Sequence, residues 1–226
     1  MKNMLKVILI STVLFLTAAC FFKGQPRQIE DPEFLLYVPS GIEAAQKCPL
    51  VVALSPGGDA QAMLSAWKNT AEKYKLVIFA SKSFRNGVDM NVALAHVYAA
   101  MRRTFPNSPI DTSKIIITGF SGGGMGAHAF SFLFPNSTSA VIINTGMINE
   151  YYLEKRERYP RKKLAVFLAS PSDFRYDEME HDRNFLESLG WKTKWIKFAG
   201  GHTLAPDSAY REAAKWVLEQ FRSAPK

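Results

Sequence analysis

The 226-residue chain contains only two cysteines, Cys20 and Cys48. If Cys20 serves another purpose, no disulfide can form within the chain, and Cys48 is expected to pack as a small hydrophobic residue. The sequence also lacks a Cys, His and Asp cluster with the spacing of a metal site, so we expect no metal and no organic cofactor. It lacks a basic stripe with interleaved aromatic residues, which argues against nucleic-acid binding. We find no internal repeat and no low-complexity segment.

The longest apolar run is too short for a comfortable membrane span. It covers residues 7–16, whereas a membrane-spanning helix needs ~20 apolar residues. A short basic segment precedes it and small residues follow it, which is the order of a secretory signal peptide. The small residues end at Cys20 and resemble the lipobox of bacterial lipoproteins, in which the cysteine is acylated. The resemblance is incomplete, because Thr17 stands where lipoboxes most often carry leucine.

These features predict the organisation of the chain. We expect a signal peptide over residues 1–19, a polar tether over 20–32, and a single domain over 33–226. The protein would be exported and held at a membrane by a lipid on Cys20, on the periplasmic or cell-surface side. An ordinary cleaved signal and an uncleaved N-terminal anchor are the alternatives. The formal net charge of +8 is compatible with a position near anionic lipid head groups.

From residue 34 onward, apolar runs alternate with amphipathic segments. We predict strands over residues 34–38, 49–54, 76–80, 114–118, 140–144, 164–169 and 194–198. We predict helices over residues 60–75, 91–105, 122–134, 176–189 and 208–221. Strands made of uninterrupted Val, Ile, Leu and Phe are typical of a parallel sheet that helices cover on both sides. The sequence therefore predicts an α/β fold with a mostly parallel central sheet and helices on both faces, and chemistry at the carboxyl ends of its strands.

The glycine-rich run Gly119-Phe120-Ser121-Gly122-Gly123 lies between a predicted strand and a predicted helix. G-x-S-x-G spacing at such a turn holds the serine in a strained conformation with its hydroxyl projecting, and the flanking glycines avoid side-chain clashes. The N–H of Gly122, at a helix N-terminus, would stabilise an oxyanion. Glycine-rich turns also bind phosphates, but the lysine of a P-loop is missing here. Ser121 is the candidate nucleophile.

A nucleophilic serine needs a base, and the base needs a buried carboxylate that orients it. Asp173 comes directly after the predicted strand over 164–169, and Asp177 in the following helix is the alternative acid. The chain has four histidines, and three of them lie in predicted helices. His202 alone lies in a glycine-flanked loop after a strand, where an imidazole can reach a hydroxyl. His202 is therefore the candidate base.

The order serine, aspartate, histidine is that of α/β-hydrolases, and residues 34–222 resemble that superfamily. The resemblance is closest to its small lidless serine esterases, of the phospholipase/carboxylesterase or the polyhydroxybutyrate-depolymerase and feruloyl-esterase type. It implies the α/β-hydrolase fold, with Ser121, Asp173 and His202 as the catalytic triad. It also implies that no cap domain is present, because residues 145–163, where lids insert, leave room for a loop and one short helix.

The resemblance places a second oxyanion donor in the loop that follows residues 49–54. Those esterases usually begin this loop with His-Gly, but here Ser55-Pro56 stands instead. Pro56 has no N–H to donate. The donor would therefore be Gly57 or Gly58, acting with Gly122.

Three further side chains, Phe84, Met147 and Tyr151, are candidate walls of a substrate pocket, although a packing role fits each of them equally well. The predicted function is hydrolysis of carboxylic esters, in small-molecule or polymeric substrates, through an acyl-enzyme. A peptidase or acyltransferase on the same triad is one alternative. A non-catalytic surface lipoprotein that uses the scaffold for binding is another. The acyl length and the oligomeric state stay open.

Overall fold

The computed structural model describes residues 24–43 and 45–223. The strands in this part of the chain are β1 (Arg27–Glu30), β2 (Phe34–Val38), β3 (Cys48–Leu54), β4 (Val77–Ser81), β5 (Ile110–Phe120), β6 (Ala140–Asn144), β7 (Leu164–Ala169) and β8 (Lys192–Lys197). The helices are α1 (Ala60–Tyr74), α2 (Met90–Thr104), α3 (Gly122–Leu133), α4 (Glu150–Leu153), α5 (Tyr176–Ser188) and α6 (Asp207–Ser223). The predicted signal peptide and the predicted lipid site at Cys20 lie outside the described residues.

All eight of these strands form one sheet, in the order β1-β2-β4-β3-β5-β6-β7-β8. Strand β2 pairs antiparallel with both β1 and β4, while every pair from β4 to β8 is parallel. The strand order reverses beside β3, between β4 and β5. Ligands of open α/β sheets bind at the carboxyl ends of strands next to such a reversal. The topology therefore directs attention to the loops after β3 and β5.

Helices cover both faces of the sheet. One core contains Leu94 of α2, Phe130 of α3 and Leu186 of α5, all packed against the strands. The other contains Trp67 of α1 and Tyr210 of α6, whose rings lie 5.0 Å apart. Strands β4 and β6 are buried along their whole length, and their residues are apolar on both faces except for Ser81 and Asn144 at their carboxyl ends. The predicted mostly parallel sheet with helices on both faces is confirmed.

The structure differs from the predicted tether over residues 20–32. Residues Arg27–Glu30 form an edge strand that pairs with β2. All four residues are exposed, so the strand carries no apolar pattern that the sequence could reveal. Backbone hydrogen bonds to β2 hold it in the sheet instead. Strand β5 also begins earlier than predicted, at Ile110.

The stretch between β6 and β7 contains α4 and one short 3₁₀ turn, Arg156–Arg158. No further domain is inserted within residues 145–163, as the sequence analysis expects. Cys48 is buried at the start of β3, 1% exposed. None of the helices that the structure describes is long and apolar enough to cross a bilayer.

Candidate active site

Ser121 lies at the sharp turn between β5 and α3. Its φ of 53° falls in the left-handed region, which costs energy for a residue other than glycine and marks a site of stored strain. Its N–H donates to the carbonyl oxygen of Asn144 at 2.9 Å, which helps to hold the turn. A Cβ on Gly119 would overlap the carbonyl oxygen of Gly123. The glycines of the motif are therefore needed for the close approach that exposes the Ser121 hydroxyl.

His202 lies in the loop between β8 and α6 and reaches Ser121. Its Nε2 atom is 2.8 Å from the Oγ atom of Ser121. Two glycines before it have positive φ, 139° for Gly200 and 69° for Gly201, and this backbone turns the imidazole toward the serine. The Gly201 N–H donates to the Oγ of buried Ser170 at 2.9 Å. The loop that carries His202 is therefore fixed to the end of β7.

Asp173 lies on the other side of the imidazole. The Nδ1 atom of His202 is 3.0 Å from Oδ2 of Asp173, whose side chain is fully buried. A carboxylate oxygen only accepts, so Nδ1–H donates and Nε2 is left to accept the proton of Ser121. The other carboxylate oxygen accepts the N–H of Arg175 at 2.8 Å. The alternative acid, Asp177, is exposed on α5.

Asn144, at the end of β6, connects the serine turn to the histidine loop. Its side chain donates to the carbonyl of Thr203 at 3.2 Å, next to His202 in sequence. Its Oδ1 accepts from the N–H of Ala205 and from the hydroxyl of Tyr210, each at 2.8 Å. Asn144 is not among the predicted site residues, because nothing local marks a polar side chain at a strand end as a partner for residues about 60 positions away.

The three backbone N–H groups predicted to bind an oxyanion differ in the hydrogen bonds that they already make. As the first residue of α3, Gly122 has an N–H without a partner in its own helix. The Gly57 N–H makes a long hydrogen bond, 3.3 Å, to the Oγ of Ser55. The Gly58 N–H is bonded to the carbonyl of Ser55 at 3.2 Å. Gly122 and Gly57 are therefore freer to bind a ligand than Gly58.

An amide side chain that the sequence analysis missed lies beside these donors. A Cβ on Gly122 would overlap the side-chain amide of Asn86, which belongs to the exposed loop after β4. The N–H of Asn86 donates to the carbonyl of Pro56 at 2.8 Å. Asn86 thus bridges the loop after β3 and the residue that follows Ser121. Its distance from the motif in sequence hid this relationship.

The three candidate pocket walls have different environments. Phe84 is 1% exposed, and its ring occupies the space that a side chain on Gly126 would fill. It packs in the core and offers no surface to a substrate. Met147 is half-buried, and its Sδ lies 2.9 Å from a guanidinium nitrogen of Arg175. Tyr151 is 49% exposed on α4.

Two aromatic rings flank the imidazole of His202. The ring centroid of Phe174 lies 4.5 Å from it and that of Phe120 lies 5.2 Å from it. Phe174 is 68% exposed, which is unusual for a large apolar side chain and gives a ligand an apolar surface next to the base. Each of these residues is next to a triad residue in sequence. This adjacency is the sequence feature from which their place in the site could have been predicted.

Buried ionisable groups also lie near this edge. Burial raises the pKa of Asp182 to about 7, even though its Oδ2 accepts the N–H of Ile148 at 2.6 Å. Burial lowers the pKa of His128 to about 3, so its ring, inside α3, is neutral at ordinary pH. Within residues 24–43 and 45–223, no group of three His, Cys, Asp or Glu side chains is arranged to hold a metal ion.

Several solved structures are similar to this chain. The S-formylglutathione hydrolase FrmB of Staphylococcus aureus is 14% identical, with a TM-score of 0.65 over 85% of this chain and 95% of that one. The fluorophosphonate-binding serine hydrolase F of the same organism is 13% identical, with a TM-score of 0.66 over 85% and 97%. A Pyrococcus horikoshii acylaminoacyl peptidase is 17% identical, with a TM-score of 0.60 over 88% of this chain and 41% of that one.

These likenesses establish the fold: the chain has the α/β-hydrolase fold. No protein-family model and no curated protein sequence matches it.

Proposed function

We propose that the protein is a serine hydrolase that cleaves carboxylic esters through an acyl-enzyme on Ser121. The observation that carries this proposal is the unbroken hydrogen-bonded chain from Asp173 through His202 to the Ser121 hydroxyl, with distances of 3.0 and 2.8 Å. Side-chain exposure fits the same roles, because the carboxylate is fully buried while the imidazole is 27% exposed. A buried orienting acid and an accessible base are what acyl transfer to serine requires.

The reaction follows from this geometry. Nε2 of His202 takes the hydroxyl proton as Oγ of Ser121 attacks the ester carbonyl, and Asp173 stabilises the cationic imidazole. The imidazolium then gives its proton to the departing alcohol, which leaves an acyl group on the serine. A water molecule, deprotonated by the same nitrogen, attacks that acyl group. The acid product leaves, and the serine regains its proton.

The negative charge that develops on the carbonyl oxygen needs donors beside Ser121. We assign this role to the N–H groups of Gly122 and Gly57. The side-chain amide of Asn86 lies against Gly122, and its backbone N–H binds the carbonyl of Pro56 in the other loop. We add the Nδ2 group of Asn86 as a further donor. The Gly58 N–H, which the Ser55 carbonyl already engages, stays outside this set.

Within the described residues, the segment between β6 and β7 adds no cap domain over the triad. A long or polymeric ester is therefore a candidate substrate as well as a small one. Phe174 supplies an apolar surface for the acyl or alcohol group next to His202. Met147 and Tyr151, also at this edge, are the further candidates for substrate contact.

A fluorophosphonate probe and nitrophenyl esters of short and long acyl chains test the proposal. Wild-type protein should be labelled on Ser121 and should release nitrophenol, whereas Ser121→Ala should do neither. Absence of both labelling and turnover in the wild type would contradict the proposed enzymatic activity and favour the non-catalytic binding role. Labelling without ester turnover would favour a peptidase or acyltransferase on the same triad. Turnover that survives in Ser121→Ala would assign the chemistry to another residue.

We also propose that the mature protein begins at Cys20 and carries lipid there, at a membrane outside the cytoplasm. The signal-like order of residues 1–19 supports this proposal. A mass spectrum of the mature N-terminus tests it, with Cys20→Ser as the control that cannot be acylated. A wild-type N-terminal peptide without lipid on Cys20 contradicts it.

A further inference from the structure

A cavity of about 1070 Å³ opens at the edge of the sheet opposite the candidate active site. It lies beneath the amino ends of the parallel strands, because Lys114 of β5, Leu164 of β7 and Lys192 of β8 line it. Ser121 follows the carboxyl end of β5. A strand rises ~3.3 Å per residue, so about 20 Å of β5 separates this cavity from the triad.

Among the described residues, those that line this cavity include four lysines and no carboxylate. Lys114 is partly neutralised by an ion pair with Asp111 at 2.7 Å. Lys162, Lys163 and Lys192 have no carboxylate within 4 Å among the described residues. Three uncompensated ammonium groups therefore face one open concavity.

One of the three ammonium groups is held firmly in place. The Nζ atom of Lys163 donates to the carbonyl oxygens of Pro135 and Thr138, at 2.7 and 2.6 Å. Lys162 and Lys192 are exposed at its rim. The arrangement combines one ammonium group bonded to the backbone with two exposed ones, and hydroxyl groups lie among them. The hydroxyl-bearing lining residues are Ser113, Thr138, Ser139 and Ser223.

Gly24, the first residue that the structure describes, also lies at this edge. The carbonyl of Gly24 accepts the N–H of Gly41 at 2.8 Å, and Gly24 lines a second cavity together with Arg27, Lys47 and one acid, Glu43. Lys47 directly precedes β3, so this second cavity lies at the amino ends of the strands as well.

The opposite edge has a different charge character. There the acids Asp59, Asp89 and Glu178 lie on the same loops and helix ends as Lys82 and Arg175. Positive and negative groups are mixed, and Arg175 pairs with Glu178 at 2.9 Å. In contrast, no Asp or Glu is among the described residues that line the cavity with the four lysines.

We propose that the amino-end edge, centred on Lys162, Lys163 and Lys192, is a docking surface for the anionic head groups of a membrane. The positive charge of the lysines is complementary to anionic head groups, and Gly24 lies at the same edge of the sheet. Both observations support a lipid surface as the occupant. The lysines act whether or not Cys20 carries lipid. With this edge on the membrane, the triad faces away from it, about 20 Å further out, toward substrates in the surrounding solution.

Vesicle binding by the full-length protein tests this surface. Vesicles of phosphatidylcholine alone are compared with vesicles that also contain phosphatidylglycerol, and bound protein is measured by co-sedimentation. The test variant is Lys162→Ala with Lys192→Ala. The control, Lys68→Ala with Lys197→Ala, removes the same charge from exposed lysines on α1 and at the carboxyl end of β8.

The wild type should prefer the anionic vesicles, and added salt should weaken that preference. Each lysine lost from the docking surface should weaken anionic binding roughly fivefold, while the control pair should change it much less. Equal losses in both pairs, or none in the test pair, would overturn the proposal. So would a test pair that loses binding to soluble polyphosphate but keeps its vesicle binding.

Two further measurements separate this surface from the proposed catalysis. Hydrolysis of a soluble nitrophenyl ester by the Lys162→Ala, Lys192→Ala variant should equal that of the wild type, which also shows that the variant is folded. Ser121→Ala should bind anionic vesicles like the wild type. Failure of ester hydrolysis in the wild type therefore leaves the docking result unchanged, and the reverse also holds.

Discussion

The side-chain amide of Asn86 lies directly against the Cα of Gly122, in the space that a larger residue would need for its Cβ. The two residues are far apart in sequence, yet this contact places an amide next to the free N–H that begins α3. The contribution of this amide to the oxyanion site can be measured by substitution.

Replacing Asn86 by alanine should lower kcat for nitrophenyl esters by about 10²-fold, the range for loss of one oxyanion donor. KM should change little, because the amide acts on charge that develops in the transition state. Val88→Ala, in the same exposed loop, is the control and should retain full activity. An unchanged kcat in Asn86→Ala would remove the amide from the oxyanion site.

Replacing Asp173 by asparagine should lower kcat by about 10⁴-fold, because an amide can hold the imidazole in the wrong tautomer. Labelling by a fluorophosphonate should slow in parallel, which a kinetic labelling assay measures. Asp177→Asn, an exposed position at the start of α5, is the matched control, and its kcat should equal that of the wild type. A loss in Asp177→Asn and not in Asp173→Asn would reverse the assignment of the acid.

Asp182 should make stability depend on pH. Burial raises the pKa of its carboxyl from 3.8 to about 7, so between about pH 4 and pH 7 the folded state holds a proton that the unfolded chain has released. The free energy of unfolding therefore falls as the pH rises through that window. The carboxyl also lies 4.0 Å from Nδ1 of His181, which is exposed.

Asp182→Asn keeps an acceptor for the Ile148 N–H but cannot ionise. Its melting temperature should rise relative to that of the wild type between pH 5 and pH 8, by about 3 °C for each kcal/mol in a chain of this size. Thermal unfolding followed by circular dichroism measures the difference, with Asp177→Asn as control. Parallel curves for wild type and Asp182→Asn across this range would contradict the assignment.

Substitution of Gly119 and of Gly57 by alanine should affect the stability of the protein differently. In Gly119→Ala the new Cβ overlaps the backbone of Gly123, so the serine turn cannot close and stability should fall by about 3 kcal/mol or more. In Gly57→Ala the Cβ meets nothing within 4 Å, and the melting temperature should stay near that of the wild type. Comparable unfolding curves for both variants would show that the turn relaxes.

The strands with the clearest apolar runs were predictable from sequence. Strands β6 and β7 have the predicted bounds because nearly all of their residues are apolar and buried. Strand β1 was not predictable, since its four residues are exposed and only backbone pairing holds them. Its edge position depends on β2, which no local pattern in residues 27–30 can reveal.

The residues of the candidate site can likewise be separated into those that local sequence predicts and those that it does not. Ser121, Asp173 and His202 could be selected because each follows a strand in a characteristic local context, and the structure brings them together. Asn86 and Asn144 act through contacts between distant loops, which depend on the folded sheet. Phe84 was a candidate pocket wall for its place after a strand. The absence of a side chain on Gly126 instead admits its ring to the core.

The hydrogen bonds of Asn144 couple the local unfolding of the serine turn to that of the histidine loop. Its backbone carbonyl receives the Ser121 N–H, and its side chain receives the Ala205 N–H. An opening that breaks one of these bonds by displacing β6 breaks the other as well. The amide protons of Ser121 and Ala205 should therefore exchange with solvent deuterium in a single cooperative unit, with one opening free energy. The nucleophile and its base would then be lost together on partial unfolding, before the sheet itself comes apart.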